Sequence, residues 1–258
     1  MAFLERRIAG VEVSIARKGT GRPLLCLHGG GGLKGALGFF ERLTGAHEVI
    51  APCHPGFDNT VTPAWLDSVD DMALFYLDLL DQLALGPVDV LGLSLGGWIA
   101  MEIGIRDPGR FNSMTLVSAP GMSFEGISPA DNFLWPEEER AARMVHDRDL
   151  ARRMSEPPAD EEESLRQLAN WAALARLAWS PRWHSPRLDK WAHRLDLPVN
   201  LIWGREDRLF PVSYAQAYAD RLPDARVTVF EACGHLVHLE RPDDLARSVT
   251  TFAQECSR

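Results

Sequence analysis

Three side chains in this sequence could together build a nucleophile. Ser94 lies in Gly92-Leu93-Ser94-Leu95-Gly96-Gly97, Asp207 in Gly204-Arg205-Glu206-Asp207-Arg208, and His235 in Cys233-Gly234-His235. A serine hydroxyl attacks carbonyl carbon near neutral pH when an imidazole takes its proton and a carboxylate orients the imidazole. The chain order Ser, Asp, His is one of the known orders for such a set. Taken singly, each residue has a plain reading: a serine in a glycine-rich turn, an aspartate capping a turn, a surface histidine. What sets them apart is position, since each follows an apolar run that reads as a strand and sits at the end where parallel-sheet proteins place their ligands.

The spacing around Ser94 adds a second argument. A sharp turn from strand to helix crowds the backbone, so the positions two residues either side of the serine must be glycine, as Gly92 and Gly96 are. The hydroxyl then faces a helix N-terminus, where partial positive charge favours a developing anion. His28 is followed by Gly29, Gly30, Gly31 and Gly32. A loop stripped of side chains lets backbone amides approach a ligand closely, and an amide from it, paired with that of Leu95, could donate to the oxyanion of a tetrahedral intermediate. The competing reading, a phosphate loop, lacks the Gly-Lys-Ser/Thr ending.

These positions need a frame of strands and helices. Val11 to Lys18 alternates as a half-exposed strand does, whereas Pro23 to Leu27 is nearly all apolar and predicts a strand buried on both faces. Short apolar runs recur at Val49 to Ala51, Val88 to Leu93, Met114 to Val117, Val199 to Trp203 and Val227 to Phe230. Helical periodicity separates them: Val69 to about Leu85, capped by Ser68 with Asp71 in an acidic variant of the capping box, a helix opening after Ser94 and ending before Pro108, and one from about Val212 to Arg221. This alternation predicts an α/β fold with a mostly parallel central sheet flanked by helices. From Gly121 to Arg187 it stops. Two helical patterns remain there, opened by Glu137 to Glu139 and Glu161 to Glu163 and separated by Pro157-Pro158, and the acidic runs read as complements to helix dipoles.

Composition narrows the classes. The 258 residues hold 27 Lys and Arg against 36 Asp and Glu, a net charge of -9, the wrong sign for a nucleic-acid partner. With 46% hydrophobic and 24% charged residues the chain is that of a globular protein. No run is long enough to span a bilayer, and Met1 to Arg7 lacks the layout of a secretory signal, so no membrane partner and a cytoplasmic location are expected. Cys26, Cys53, Cys233 and Cys256 form no CxxC pair and read as reduced thiols. Cys53 and Cys233 lack the setting that activates a thiolate, and His238, three residues after His235, has no acidic partner to complete a zinc site. Neither metal nor cofactor is expected.

With its motifs in order (His28 to Gly32, His54-Pro55-Gly56-Phe57, Gly92 to Gly97, Trp203 to Pro211, Gly234 to Pro242) the chain resembles the α/β-hydrolases that carry an inserted cap. The resemblance implies a core of residues 1–120 and 188–258, with a helical cap, 121–187, inserted after the sixth strand. It makes Ser94 the nucleophile, His235 the general base and acid, and Asp207 its orienting carboxylate. Leu95 and Gly30 become the oxyanion donors, Gly30 because the family uses the second residue after the histidine. Asp207 is preferred to Glu206 because the family's acid stands four residues after the tryptophan, and Glu125 is the fallback.

The aromatic cap residues Phe124, Phe133, Trp135, Trp171, Trp179 and Trp183 imply an apolar cleft, with Phe39, Trp98 and Trp135 as candidate pocket residues. The expected function is a serine hydrolase that cleaves a carboxylic ester of a small, largely apolar or aromatic molecule through an acyl-enzyme, as a monomer or homodimer. One alternative is a carbon-carbon bond hydrolase of the meta-cleavage product type, which the same motifs resemble. Against it, Leu93 stands where that group often has Asn and Leu236 where it often has Trp, and the candidate cap cations Arg176, Arg182 and Arg187 read as surface or helix-end charges. The other is a non-catalytic small-ligand receptor on the same fold.

Overall fold

The computed structural model describes residues 1–256. Eight strands, β1 (Ala2–Ile8), β2 (Val11–Lys18), β3 (Arg22–Leu27), β4 (His47–Pro52), β5 (Val88–Leu93), β6 (Phe111–Val117), β7 (Val199–Gly204) and β8 (Ala225–Phe230), form one sheet in the order β1-β2-β4-β3-β5-β6-β7-β8. β1 and β2 pair antiparallel, as do β2 and β4, and every later pair is parallel. Every residue of β5 and β7 is buried, as their unbroken apolar runs require. β1 has no counterpart among the expected strands. Six of its seven residues are exposed or half-buried, so it carries no apolar pattern and is held as one arm of a hairpin whose turn, Ala9-Gly10, has positive φ at both residues.

The helices are α1 (Gly32–Phe40), α2 (Val69–Gln82), α3 (Leu95–Arg106), α4 (Glu137–Met144), α5 (Arg148–Met154), α6 (Glu161–Ala178), α7 (Leu188–Trp191), α8 (Ser213–Ala219), α9 (Val237–Glu240) and α10 (Pro242–Glu255). α2 starts as expected: Ser68 Oγ accepts from Asp71 N at 3.1 Å and donates to Asp71 Oδ2 at 2.6 Å. α3 is buried along its whole length except at Arg106, which makes it the central helix behind the sheet. No helix among the described residues is long and apolar enough to cross a membrane.

Strand order decides where the loops meet. β3 sends its chain to β4 on one side while β5 pairs on the other, with Leu27 opposite Gly92. The loops after β3 and β5 therefore leave one edge of the sheet together, at a switch in connection direction where crevices form. The loops after β7 and β8 leave the same edge, because β5 to β8 all run parallel.

Between β6 and β7 lies an insertion that adds nothing to the sheet; its two stems meet where Gly121 N donates to Trp183 O and Ser185 N to Gly121 O. It holds three helices where two patterns were expected. The first pattern breaks because Val145 is extended and Asp147 caps a new helix, its Oδ1 accepting from Asp149 N and Leu150 N. The Glu runs stand in the first turns of α4 and α6 as read. α6 docks on the core through Arg166, Asn170, Ala173, Leu174 and Leu177. Asp58 receives it, accepting from Lys34 N, Arg166 Nη1 and Asn170 Nδ2 at 3.0, 2.9 and 3.2 Å while its own amide donates to Asn170 Oδ1. Burial pushes the Asp58 carboxyl up, but those donors outweigh it and hold the group below its ordinary range.

Candidate active site

At the end of β5 the chain reverses into α3 through Ser94, whose φ of 49° and ψ of -114° are a strained conformation for a residue with a side chain. A Cβ at Gly92 would lie 2.5 Å from Gly97 Cα, and one at Gly96 2.1 Å from Leu27 O. No other residue fits either position. The elbow is clamped by Ser94 N donating to Val117 O at 2.8 Å and by Gly97 N donating to Ser94 O at 2.8 Å. Half-buried Ser94 thus presents its hydroxyl at the sheet edge.

There the three side chains singled out in the sequence meet. His235 Nδ1 lies 2.9 Å from Asp207 Oδ2 and Nε2 lies 3.0 Å from Ser94 Oγ. Asp207 Oδ1 is already taken by the amides of Leu209 and Phe210, at 2.8 and 2.9 Å. The carboxylate therefore faces the imidazole with one oxygen, and a proton on Nδ1 leaves Nε2 free to accept from the serine. Both side chains are almost wholly buried. Glu206 turns elsewhere, Oε2 accepting from Cys233 N, and Glu125 is exposed at the start of the insertion.

The amides of Gly30 and Leu95 have no acceptor among the described residues. Leu95 opens α3, so its N–H has no intrahelical partner. Gly30 is aimed by its neighbour: Gly29 O accepts from His28 Nδ1 at 2.8 Å and Gly32 N at 3.1 Å, and in a trans peptide the Gly30 N–H points the opposite way. His28 can donate from Nδ1 because Nε2 accepts from His54 N at 2.9 Å. His54 in turn donates from Nε2 to His28 O and accepts from the Tyr76 hydroxyl. Every ring nitrogen is used in the neutral form, and burial pushes His28 down to about 4 and His54 well below its ordinary value. His28 and His54 stand in two separate sequence motifs, and only the fold brings them together to hold the glycine loop.

A sequence profile described as the Alpha/beta hydrolase family matches residues 24–248. The chain belongs to that family. Among similar proteins, a 2-hydroxymuconate semialdehyde hydrolase of Pseudomonas putida is 28% identical over 96% of this chain and 92% of its own length. A 2-hydroxy-6-oxo-2,4-heptadienoate hydrolase of a Pseudomonas putida strain is 27% identical over 94% and 93%. Among solved structures, a meta-cleavage product hydrolase from Pseudomonas fluorescens has a TM-score of 0.79 at 24% identity, covering 98% of this chain and 97% of the other. A thermophilic esterase from Thermogutta terrifontis also has a TM-score of 0.79, at 20% identity and 99% coverage of both chains. At those identities the structures speak for the fold alone.

Within this α/β-hydrolase the three candidate pocket residues are packed into the protein. Trp98 does not join the triad: it is 3% exposed, donates Nε1 to Glu102 one turn along α3, and lies against Gly121, where a Cβ would sit 2.7 Å from its ring. Phe39 meets the ring of His238 at 6.2 Å, and burial pushes His238 down to about 4. Trp135 lies under the Arg143 guanidinium. A ladder of aromatic rings leads away from the triad: Phe210 is 5.4 Å from His235, Trp183 5.4 Å from Phe210, Phe133 5.4 Å from Trp183, and Trp171 5.0 Å from Phe133. Phe210 was legible as a neighbour of Asp207 three residues on. Leu174 of α6 covers the other wall, 2.7 Å from where a Cβ at Gly30 would be. Cys53 and Cys233 are buried, and burial pushes both thiols up to about 12, which removes them as nucleophiles.

Proposed function

We propose that this α/β-hydrolase is a serine hydrolase that cleaves a carboxylic ester of a small, apolar or aromatic molecule under a cap formed by residues 121–187. The observation that carries the reading is the line of contacts from Asp207 through His235 to a serine on a strained elbow. Ser94 Oγ attacks the ester carbonyl carbon as its proton passes to His235 Nε2. The carbonyl oxygen gains the negative charge and takes hydrogen bonds from Gly30 N and Leu95 N, each such donor worth about 3–4 kcal/mol in the transition state. The carbon-oxygen bond then breaks, the alkoxide takes the proton from Nε2, and water repeats the sequence to release the acid from Ser94. Phe210 and Leu174 flank this centre with apolar surface and support an uncharged substrate portion.

A second reading, the carbon-carbon bond hydrolase, has a specific observation behind it: the similar proteins include a 2-hydroxymuconate semialdehyde hydrolase and a 2-hydroxy-6-oxo-2,4-heptadienoate hydrolase. That chemistry also requires protonation of a dienol on carbon and a cation to hold the substrate carboxylate. The cations considered for this are engaged elsewhere or exposed: Arg176 donates to Ala64 O, Arg182 pairs with Asp131 and stacks on Trp179, and Arg187 lies at the surface. The ester reading therefore predicts that aryl esters are turned over at least about tenfold faster, by kcat/KM, than a vinylogous 1,5-diketone acid, about 1.4 kcal/mol in transition-state binding. The reverse ranking in side-by-side assays would replace it with the carbon-carbon reading, and turnover of neither would favour a receptor.

A further inference from the structure

The loop carrying His235 is bonded to the insertion as well as to the sheet. Met144 O, at the end of α4, accepts from the amides of His235 at 2.8 Å and Leu236 at 3.3 Å. The Glu240 carboxylate completes the junction: Oε2 accepts from Gly234 N at 2.6 Å, and Oε1 accepts from His146 N at 2.7 Å and Asp147 N at 2.8 Å. The chains cross so closely that a Cβ at Gly234 would stand 2.8 Å from Val145 Cα and 2.9 Å from His146 N. The three amides gathered by Glu240 lie outside the helices and strands, two in the break between α4 and α5 and one beside the imidazole-bearing residue. Hydrogen bonds to an ionised acceptor are the strong ones, and one carboxylate here takes three.

Glu240 touches neither Ser94 nor the His235 ring, so whatever it does for the reaction it does through the backbone of Gly234 and His235. On the core side the ring is held by Asp207 Oδ2, which fixes its rotation, and meets Ser94 Oγ through Nε2. Its backbone rests on the core where Gly204 admits Gly234 O and where Glu206 N donates to Cys233 O, and it is held from the insertion side by Met144 O and the Glu240 clasp. We propose that Glu240 is a positioning residue, tying the loop of the general base to the break between α4 and α5 so that the insertion sets the distance from His235 Nε2 to Ser94 Oγ. This rests on the reading of Ser94 and His235 as nucleophile and base. Misplacement of a reacting group by about 1 Å lowers rates on the order of a hundredfold, whereas substrate binding on the Leu174 side is untouched.

The test uses the full chain and a p-nitrophenyl ester, with Glu240→Gln and Glu240→Ala. Measurements are kcat, KM, the rate of fluorophosphonate labelling at Ser94 and the thermal unfolding midpoint. Gln keeps the shape but sets an amide donor against one of the three N–H groups, so it stays folded if Ala does not. In both folded variants kcat and the labelling rate should fall together by about tenfold or more with KM within about threefold, and Ala should fall further than Gln. Unchanged kcat and labelling in folded Glu240→Gln, with or without a lower midpoint, overturns the proposal and leaves Glu240 a structural tie. So does a loss that resides in KM. Failure of the underlying reading looks different, since the unsubstituted protein would then not label at Ser94 at all.

Discussion

The edge of the sheet and the insertion above it are built on different principles. At the edge, backbone meets backbone: β3 and the elbow come together at Gly96, where a side chain would lie 2.1 Å from Leu27 O, and β7 meets the loop after β8 at Gly204, where it would lie 2.1 Å from Gly234 O. The insertion is held mostly by side chains, through the Asp58 cluster, the Glu240 carboxylate and the aromatic ladder from Phe210 to Trp171, with backbone bonds where Met144 O accepts from His235 N and Leu236 N and where Ala130 N donates to Leu209 O. Close backbone contact admits one residue type per position and fixes geometry to tenths of an ångström, which suits a proton relay. Side-chain docking tolerates many solutions and suits a surface that selects a substrate.

If the edge is the reacting part, damage there should be chemical and large. Asp207→Asn keeps the acceptor for Leu209 N and Phe210 N but no longer demands a proton on His235 Nδ1. A fall in kcat of about a thousandfold or more is expected at unchanged unfolding midpoint. Glu206→Gln, at a side chain that accepts from Cys233 N, should stay within about threefold. A larger effect at Glu206 than at Asp207, read by steady-state kinetics, would reassign the acid.

If the insertion is held by side chains, damage there should appear in stability. Asp58→Ala leaves Arg166 with Glu163 alone and strips Asn170 of one acceptor. Breaking a buried pair from one side costs about 3–5 kcal/mol, and the surviving Glu163 contact places this case at the lower end. Urea unfolding should show a loss of about 3 kcal/mol together with faster proteolysis near α6. A loss below about 0.5 kcal/mol would mean that apolar packing of Ala173, Leu174 and Leu177 carries the docking.

The smallest effect per unit comes from pH. His28 and His238 fall to about 4 in the folded chain from an ordinary 6.5, because burial disfavours their charged forms. Between those values the unfolded chain binds more protons, so stability is full above about pH 6.5 and is lost as pH falls toward 4, by roughly 1.4 kcal/mol per pH unit for each histidine. His238→Gln should flatten the slope of unfolding free energy against pH by one histidine's share. A slope unchanged by that substitution would mean that His238 titrates normally.

The same contrast governs how much could be read from the sequence. The sheet, α2, α3 and the three triad positions were legible because each rests on a local signature: an apolar run, the Ser68 cap, or glycines where no Cβ fits. α1 was hidden by Gly32, Gly35 and Gly38, which dilute its helical pattern, and β1 by its exposed face. α10 does carry a signal, Pro242 at its first position and Leu245, Val249 and Phe252 on one face. The pocket was the least legible part. Trp98 follows the elbow by four residues yet turns along α3 to Glu102, and the break at Val145 depends on amides that Glu240, 94 or 93 residues away in sequence, collects. Aromatic composition announced an apolar environment but not that Phe210 would be the ring against His235.

The central claim is that Ser94 becomes covalently acylated. Intact-mass and peptide mass spectrometry after rapid acid quench with a slowly deacylating p-nitrophenyl ester tests it directly. The account predicts one acyl group per chain, located on the peptide containing Ser94, formed with a stoichiometric burst of p-nitrophenol and absent from Ser94→Ala. Acylation at another residue, or ester turnover that persists undiminished in Ser94→Ala, would contradict it.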